Sequence, residues 1–454
     1  MATDLHVLVI PCPRQGHVIP LLEFSQCLAK HGFRVTFVNS ESIHNKVLKS
    51  LKGKSYIGEK VHVVSIPDGL EEKRGGGNMI EKILQVMPGK LEELIEEING
   101  REGEKIACVV ADGTMGWAIE VAEKLKMKRA AVWTASAASL ASSFSIPKLI
   151  HDGIINSDGT PIRKQMIQLA PNMPAMNSAT DFFWACVGDL TTQKNVFELA
   201  LMNTNAMKKA DWLFCNSTYE LEPAAFTIAP KLLPIGPLLA SNRQGNSAGY
   251  FWAEDSNCLK WLDQQQPHSV IYVAFGSSTV FDKIQFQEIA QGLEICNRPF
   301  LWVVRSNIIT NGSNDAFPEG FQERVANRGQ LVGWAPQQEV LSHPSVACFL
   351  SHCGWNSTME GVSNGVPLLC LPYFAEQFLN GSYICDVWKV GVKFNKNERG
   401  IITKEEIKNK VNQVYGDEDV KARAMKLKEK VLSSVKVGGS SNQTFQDFFD
   451  WIKA

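Results

Sequence analysis

Short, almost wholly apolar runs alternate with longer amphipathic stretches along most of the chain. HVLVIP (His6–Pro11) is apolar and β-branched without alternation, the pattern of a strand buried on both faces in a parallel sheet. A glycine-containing loop, CPRQGH, leads into VIPLLEFSQCLAKHG, where Leu21, Leu22, Ser25 and Leu28 fall at helical spacing. Pro20 is tolerable in a first turn, and Gly32 stops the helix. FRVTFVNS returns as a second strand, so residues 6–40 predict a βαβ unit. Val61–Pro67 and Ile106–Ala111 read as further strands, with an amphipathic helix over about Met79 to Asn99 between them; RAAVWTASAASLASS gives strand, turn and helix. Residues 146–195 are rich in Pro, Met and Asn and aperiodic, with Phe182, Phe183 and Trp184 clustered, and are expected to be a long irregular insert. DWLFCNS closes this half as a strand.

A second α/β pattern then begins. After LLPIGPLL, the polar, Gly/Ser/Asn-containing ASNRQGNSAGYF reads as an interdomain linker. SVIYVAFGS, a helix through Ile284 to Cys296, FLWVVR, QLVGWAP, VACFLSH and PLLCLP continue the alternation. The expected domains are 1–237 and 257–437, joined by a linker at 238–256 and followed by an amphipathic helix at 438–454 that carries Phe445, Phe448, Phe449 and Trp451. A length of 454 residues suits two domains, each an α/β doubly wound sheet with a cleft between them.

Composition narrows the partners. A net charge of −1 leaves no whole-chain footprint for nucleic acid or an anionic membrane. The start, MATDLHVLVIPCP, lacks the basic region of a signal peptide, and the uncharged Ala130–Pro147 is too rich in Ser and Thr for a membrane span. Eleven scattered cysteines without a C-x-x-C pair fit buried free thiols and a cytoplasmic address. Adjacent His352 and Cys353, with His343 and Cys348 nearby, make a poor zinc set, because neighbouring side chains project apart and no second pair follows.

The candidate chemistry lies at predicted strand ends, where doubly wound sheets bind ligands. His17 opens a helix after the first strand, and Asp112 ends another strand of the same sheet. A helix start favours the neutral imidazole, available as a general base, and Asp112 could hold the other ring nitrogen and stabilise the imidazolium that forms. Thr134 sits in a third loop of this edge. In the second half, Trp334 to Gln377 presents a flat aromatic, an apolar strand, a glycine turn with small polar residues, then carboxylate and amide groups. Free N–H groups at a helix start suit a phosphate there. That order is the one a nucleotide-sugar needs.

Along its whole length this 44-residue stretch resembles the donor-binding signature of plant family 1 UDP-glycosyltransferases, and the loops HVLVIPCPRQGH and VVADG match that family's catalytic dyad, His17 and Asp112. The resemblance implies the GT-B architecture, two Rossmann-like domains facing a cleft, with the last helix packing back on the first. It implies that Trp334 stacks on uracil, with Gln337 and the Ala335 backbone at its edge, and that Glu360 holds the ribose. By the same resemblance Ser277, His352, Gly354, Asn356 and Ser357 meet the diphosphate, while Trp355, Glu376, Gln377 and, from the first half, Thr134 line the sugar. The implied reaction is inverting transfer of glucose from UDP-glucose to a hydroxyl of a small hydrophobic plant metabolite. Phenolics or flavonoids are favoured over terpenoid, steroid or hormone acceptors; the irregular insert reads as a natural acceptor wall or, equally, as an ordinary packed excursion. The expected enzyme is a monomer that needs no cofactor and no metal and has no nucleic-acid partner or membrane insertion. Two other readings differ: a nicotinamide oxidoreductase would need a G-x-G-x-x-G after the first strand, which is absent, and a silent nucleotide-sugar binder could dispense with His17 or Asp112.

Overall fold

The computed structural model describes residues 5–50, 56–70, 79–239, 254–309 and 316–454; most of the expected linker, 240–253, lies outside them. Sixteen strands occur among the described residues: β1 (His6–Ile10), β2 (Arg34–Ser40), β3 (Tyr56–Ile57), β4 (Val61–Ile66), β5 (Ile106–Asp112), β6 (Lys128–Trp133), β7 (Met166–Ile167), β8 (Met176–Asn177), β9 (Trp212–Cys215), β10 (Leu232–Pro234), β11 (Val270–Ala274), β12 (Phe300–Val303), β13 (Gly329–Val332), β14 (Val346–Ser351), β15 (Leu368–Cys370) and β16 (Gly391–Lys393). They fall into two compact units, one from the described residues of Met1–Ile162, Gly188–Trp252 and Ser434–Ala454, the other from those of Arg163–Val187 and Ala253–Ser433.

In the first unit seven parallel strands stand in the order β10-β9-β6-β5-β1-β2-β4, with β3 antiparallel at the edge. Winding from β1 goes one way through β2 and β4 and the other way through β5, β6, β9 and β10, so the topological switch point lies between β1 and β5. All five side chains of β1 are buried, as a strand covered on both faces requires. The core over one face joins Val7, Val9, Leu22, Phe24, Phe37 and Phe214 to Phe448, Phe449 and Ile452. The helix Ser440–Lys453 therefore completes this core, with Phe448 edge-on to Phe214 at 4.8 Å between ring centres.

The second unit's sheet runs β13-β12-β11-β14-β15-β16, all parallel, with its switch point between β11 and β14. β11 and β14 are buried throughout, while the short edge strand β16 is half-buried and carries Lys393. Both units are thus doubly wound α/β sheets of Rossmann type.

The insert departs from expectation. Residues 146–195 contain the helix Ile146–His151 and the start of the helix Leu190–Met207, with the β7–β8 ladder between them. Pro147 fits a first helical turn, and Asp189 caps the second helix by accepting from the Thr192 N–H at 2.8 Å. Arg163–Val187 groups with the second unit, so a single boundary at 237 does not describe the chain. There Phe182 and Trp184 stack at 4.7 Å, each 1% exposed. Their burial fits the reading of this segment as an ordinary packed excursion.

Candidate active site

In the first unit the chain leaves β1 at Ile10 and enters the helix Gln15–Lys30 through Arg14, whose carbonyl accepts the His17 N–H at 2.9 Å. His17 thereby stands in the first turn, and Asp112, the last residue of β5, faces it across the switch point. His17 Nδ1 lies 2.8 Å from Asp112 Oδ2. A carboxylate only accepts, so the imidazole proton belongs on Nδ1, and Nε2 carries the lone pair. Asp112 has no solvent-exposed surface, and its other oxygen accepts from the Thr114 N–H at 2.8 Å and the Thr114 hydroxyl at 2.6 Å. Burial opposes its charge, but His17 and these hydrogen bonds outweigh burial and hold the carboxyl below its ordinary value. The Thr134 hydroxyl lies 2.9 Å from His17 Nδ1 and 3.5 Å from Asp112 Oδ2. The result is a buried anion, an oriented ring and a ring edge 23% exposed at its side chain. It can take a proton from a hydroxyl and store the resulting charge.

In the second unit β14 ends at Ser351, His352 comes next, and Gly354 precedes the helix Trp355–Asn364. The loop after β11 returns from the other side of the switch point. A side-chain carbon at Gly276 (φ +66°) would stand 2.5 Å from His352 Nε2, and one at Gly354 would stand 2.4 Å from it. Only glycine lets both loops approach the ring this closely. Burial, and then the nearby Arg305 guanidinium, push the imidazole down to about 4, with the Ala274 carbonyl opposing them. Beyond the turn, Glu360 is 6% exposed and accepts from Gln337 Nε2 at 2.6 Å and Gln338 Nε2 at 3.1 Å. Gln337 Nε2 also lies 2.7 Å from Ser357 Oγ, and the Tyr272 hydroxyl donates to Gln337 Oε1 at 3.1 Å. Half-buried Trp334 and buried Ala335 lie between β13 and the helix Gln337–Ser342.

A family model described as UDP-glucoronosyl and UDP-glucosyl transferase matches residues 92–431. The chain belongs to this family. UDP-glycosyltransferase 83A1 of Arabidopsis thaliana is 47% identical over 99% of this chain and 97% of its own. Among solved structures, Os79 from O. sativa in complex with UDP superposes with a TM-score of 0.82 at 28% identity, covering 98% of this chain and all of that one. Phytolacca americana UGT2, complexed with UDP-2fluoro-glucose and pterostilbene, gives 0.81 at 27% identity over 99% of each. The protein is a plant family 1 glycosyltransferase of GT-B architecture, and family membership disposes of the oxidoreductase alternative.

Within this family member, the residues singled out in the sequence fall into two groups. His17, Asp112 and Thr134 meet in the first unit; His352 and Gly354 meet Gly276 at the second unit's switch point, with Ser277 next to Gly276 in its loop and Asn356, Ser357, Glu360, Gln337, Trp334 and Ala335 around the helix beyond it. Three details add to the expectation. The Thr134 hydroxyl is engaged by His17 and Asp112, so its first role is on the ring. Trp355 is 3% exposed, its indole lying near Trp388 at 6.4 Å. Gln377 Oε1 accepts from the Tyr373 and Phe374 N–H groups at 2.9 and 3.1 Å, leaving its amide nitrogen as the group it can offer beside half-buried Glu376. Thr114 is an addition to the expected set, although an Asp with Thr two residues on is the signature of a side-chain turn. Among the described residues no three His, Cys, Asp or Glu side chains gather as metal ligands, and all eleven cysteines are free thiols, including Cys348 and Cys353. No helix among them is long and apolar enough to cross a membrane.

Proposed function

We propose that the chain transfers glucose from UDP-glucose to a hydroxyl of a small hydrophobic phenol, a flavonoid or a related phenolic, with inversion at the anomeric carbon. The observation that carries this reading is the 2.8 Å contact of His17 Nδ1 with a buried carboxylate, which leaves Nε2 as a base. Nε2 accepts the phenol proton as the oxygen forms its bond to C1; the bond from C1 to the β-phosphate oxygen breaks, and its electron pair leaves with UDP. Asp112 stabilises the imidazolium until the proton passes to solvent. Trp334, Gln337 and Glu360 suit uracil and ribose, and the glycine turn at His352 suits the diphosphate. The UGT2 complex with UDP-2fluoro-glucose and the phenol pterostilbene supports both donor and acceptor class. We further propose that the enzyme works as a cytoplasmic monomer without metal or cofactor, since UDP needs only its charge held to be a good leaving group.

Donor preference tests the reading. Glu376 places a carboxylate where the sugar is expected, so the second carboxylate of a glucuronyl group is costly beside it. An epimer that leaves one buried partner unpaired loses about 1–3 kcal/mol, roughly ten- to a hundredfold. UDP release with UDP-glucose, UDP-galactose, UDP-glucuronate and UDP-xylose is compared on one accepted phenol. UDP-glucose should give the highest kcat/KM, UDP-xylose partial activity and UDP-glucuronate almost none. A glucuronyl or galactosyl donor that equals glucose overturns the donor assignment. A panel in which no phenol is consumed overturns the acceptor class.

A further inference from the structure

Two residues beyond β12, at the same edge as the switch-point loops, Arg305 is only 3% exposed. It donates from Nη1 to Asn307 Oδ1 at 2.6 Å and from Nη2 to the Thr279 carbonyl. Both partners are neutral, and among the described residues no carboxylate forms an ion pair with it. Burying a cation without an anion is expensive, and families of buried pairs show what it costs to remove one partner. Burial accordingly pushes this guanidinium down to about 10.

Its position gives the cost a purpose. Thr279 belongs to the loop that leaves β11 as Phe275-Gly276-Ser277-Ser278, with Ser277 Oγ turned toward Ser278 Oγ at 3.5 Å. That loop presses on His352, which is itself depressed by Arg305, so the two groups sense each other. A neutral imidazole next to a standing cation is a poor arrangement for holding positive charge on the histidine. It is a good arrangement for receiving negative charge from outside.

We propose that Arg305, a buried guanidinium tied to the Thr279 carbonyl and lacking a carboxylate partner among the described residues, is the fixed positive charge that holds the donor's diphosphate and steadies departing UDP. The inference rests on the proposed donor site. Arg305 acts here as a positioning residue, through its field and through the loop it pins, while Ser277, His352 and the helix-start N–H groups make the direct contacts. The family resemblance gave it no role.

Calorimetric titration of the full chain with UDP and with uridine separates charge from shape. Arg305→Met should weaken UDP binding roughly tenfold, the effect of one partly screened charge at a few ångströms, and leave uridine unchanged. Arg305→Lys keeps the charge without the fork and should restore UDP affinity to within about threefold of wild type. Should the Met variant not fold, Arg305→Gln, which can still donate to Thr279, takes its place in the same titrations. Equal losses for UDP and uridine, or a Lys variant as poor as the neutral one, overturn the inference in favour of loop support alone. A neutral variant that binds UDP as wild type does overturns it outright. If wild type binds neither ligand, the donor-site reading fails first and takes the inference with it.

Discussion

His17 and His352 hold comparable places in the two units. Each stands at the C-terminal edge of a parallel sheet, at the strand pair where the winding reverses, and each is at or just before a helix start. Their neighbours differ in sign. His17 rests on the Asp112 carboxylate at 2.8 Å, whereas His352 has Arg305 nearby and glycine backbones on both sides. The sheet therefore supplies a location, and the side chains from adjacent strands decide what the imidazole there can do. A carboxylate partner prepares a ring to receive a proton. A guanidinium and close backbone keep a ring neutral and leave the site open to an anion. One fold repeated in one chain thus yields a candidate base in one unit and a candidate anion seat in the other.

The largest effect should come from breaking the first member of that comparison. His17→Ala removes the proposed base, and loss of a positioned base typically costs roughly 10²–10⁴-fold in kcat. UDP affinity by calorimetry should stay within about twofold, since the UDP-contacting groups proposed are all in the second unit. Retention of more than about a tenth of wild-type kcat on an alcohol acceptor would remove His17 from the chemistry. A phenol acidic enough to ionise unaided should lose less.

Asp112→Asn sharpens the same comparison by changing the partner and not the ring. The Asn carbonyl would stay on Thr114, where Asp112 Oδ1 accepts two hydrogen bonds, and its amide would point at His17 Nδ1. That nitrogen must then accept, the proton moves to Nε2, and the base becomes a donor. With the tautomer reversed the ring no longer serves as a base, so a fall in kcat approaching the roughly 10²–10⁴-fold of losing it is expected, with donor affinity unchanged. If instead donor binding disappeared while chemistry survived, the orienting role would be wrong.

Part of this arrangement is legible in the amino-acid sequence alone. Unbroken apolar runs such as HVLVI and VACFL declare buried parallel strands, and the residues just after each run lie by topology at the ligand edge. That logic names His17, Asp112, Ser277 and His352 as edge residues. It cannot say which edge residues touch, because His17 and Asp112 are 95 positions apart and their contact exists only once β1 and β5 pair. The capture of Thr134 by the dyad, the burial of Trp355 beside Trp388 and the folding of Gln377 Oε1 onto its own turn are likewise decided by neighbours distant in sequence or by local backbone shape. Arg305 reads in sequence as the polar end of FLWVVR; only its burial on two neutral partners singles it out. The segment Arg163–Val187 was the least legible, because a stretch without periodicity carries no sign of which core will claim it.

The smallest effect concerns the second histidine and shows itself in stability. Burial and Arg305 push His352 from an ordinary 6.5 down to about 4, so between those values the unfolded chain binds a proton that the folded chain refuses. With more protons on the unfolded side, stability rises with pH across this window and falls on acidification. Asp112 does not mask the effect. Its carboxyl is held below the ordinary carboxylate value, so its contribution is present throughout the window and is lost only at more acid pH. The full shift would be worth about 3 kcal/mol, and less reaches the measurement at pH 5, where solvent at the edge of the ring discounts it further to about 1 kcal/mol. Replacing the imidazole by a neutral amide, His352→Gln, removes the term. Tm is therefore measured for both proteins at pH 7.5 and pH 5.0. Wild type should lose roughly 2–4 °C more than the variant on acidification, the scale expected for a unit of this size. Parallel losses would mean that His352 takes up its proton as readily folded as unfolded, and the contrast between a carboxylate-backed ring and a guanidinium-backed one would lose its electrostatic half.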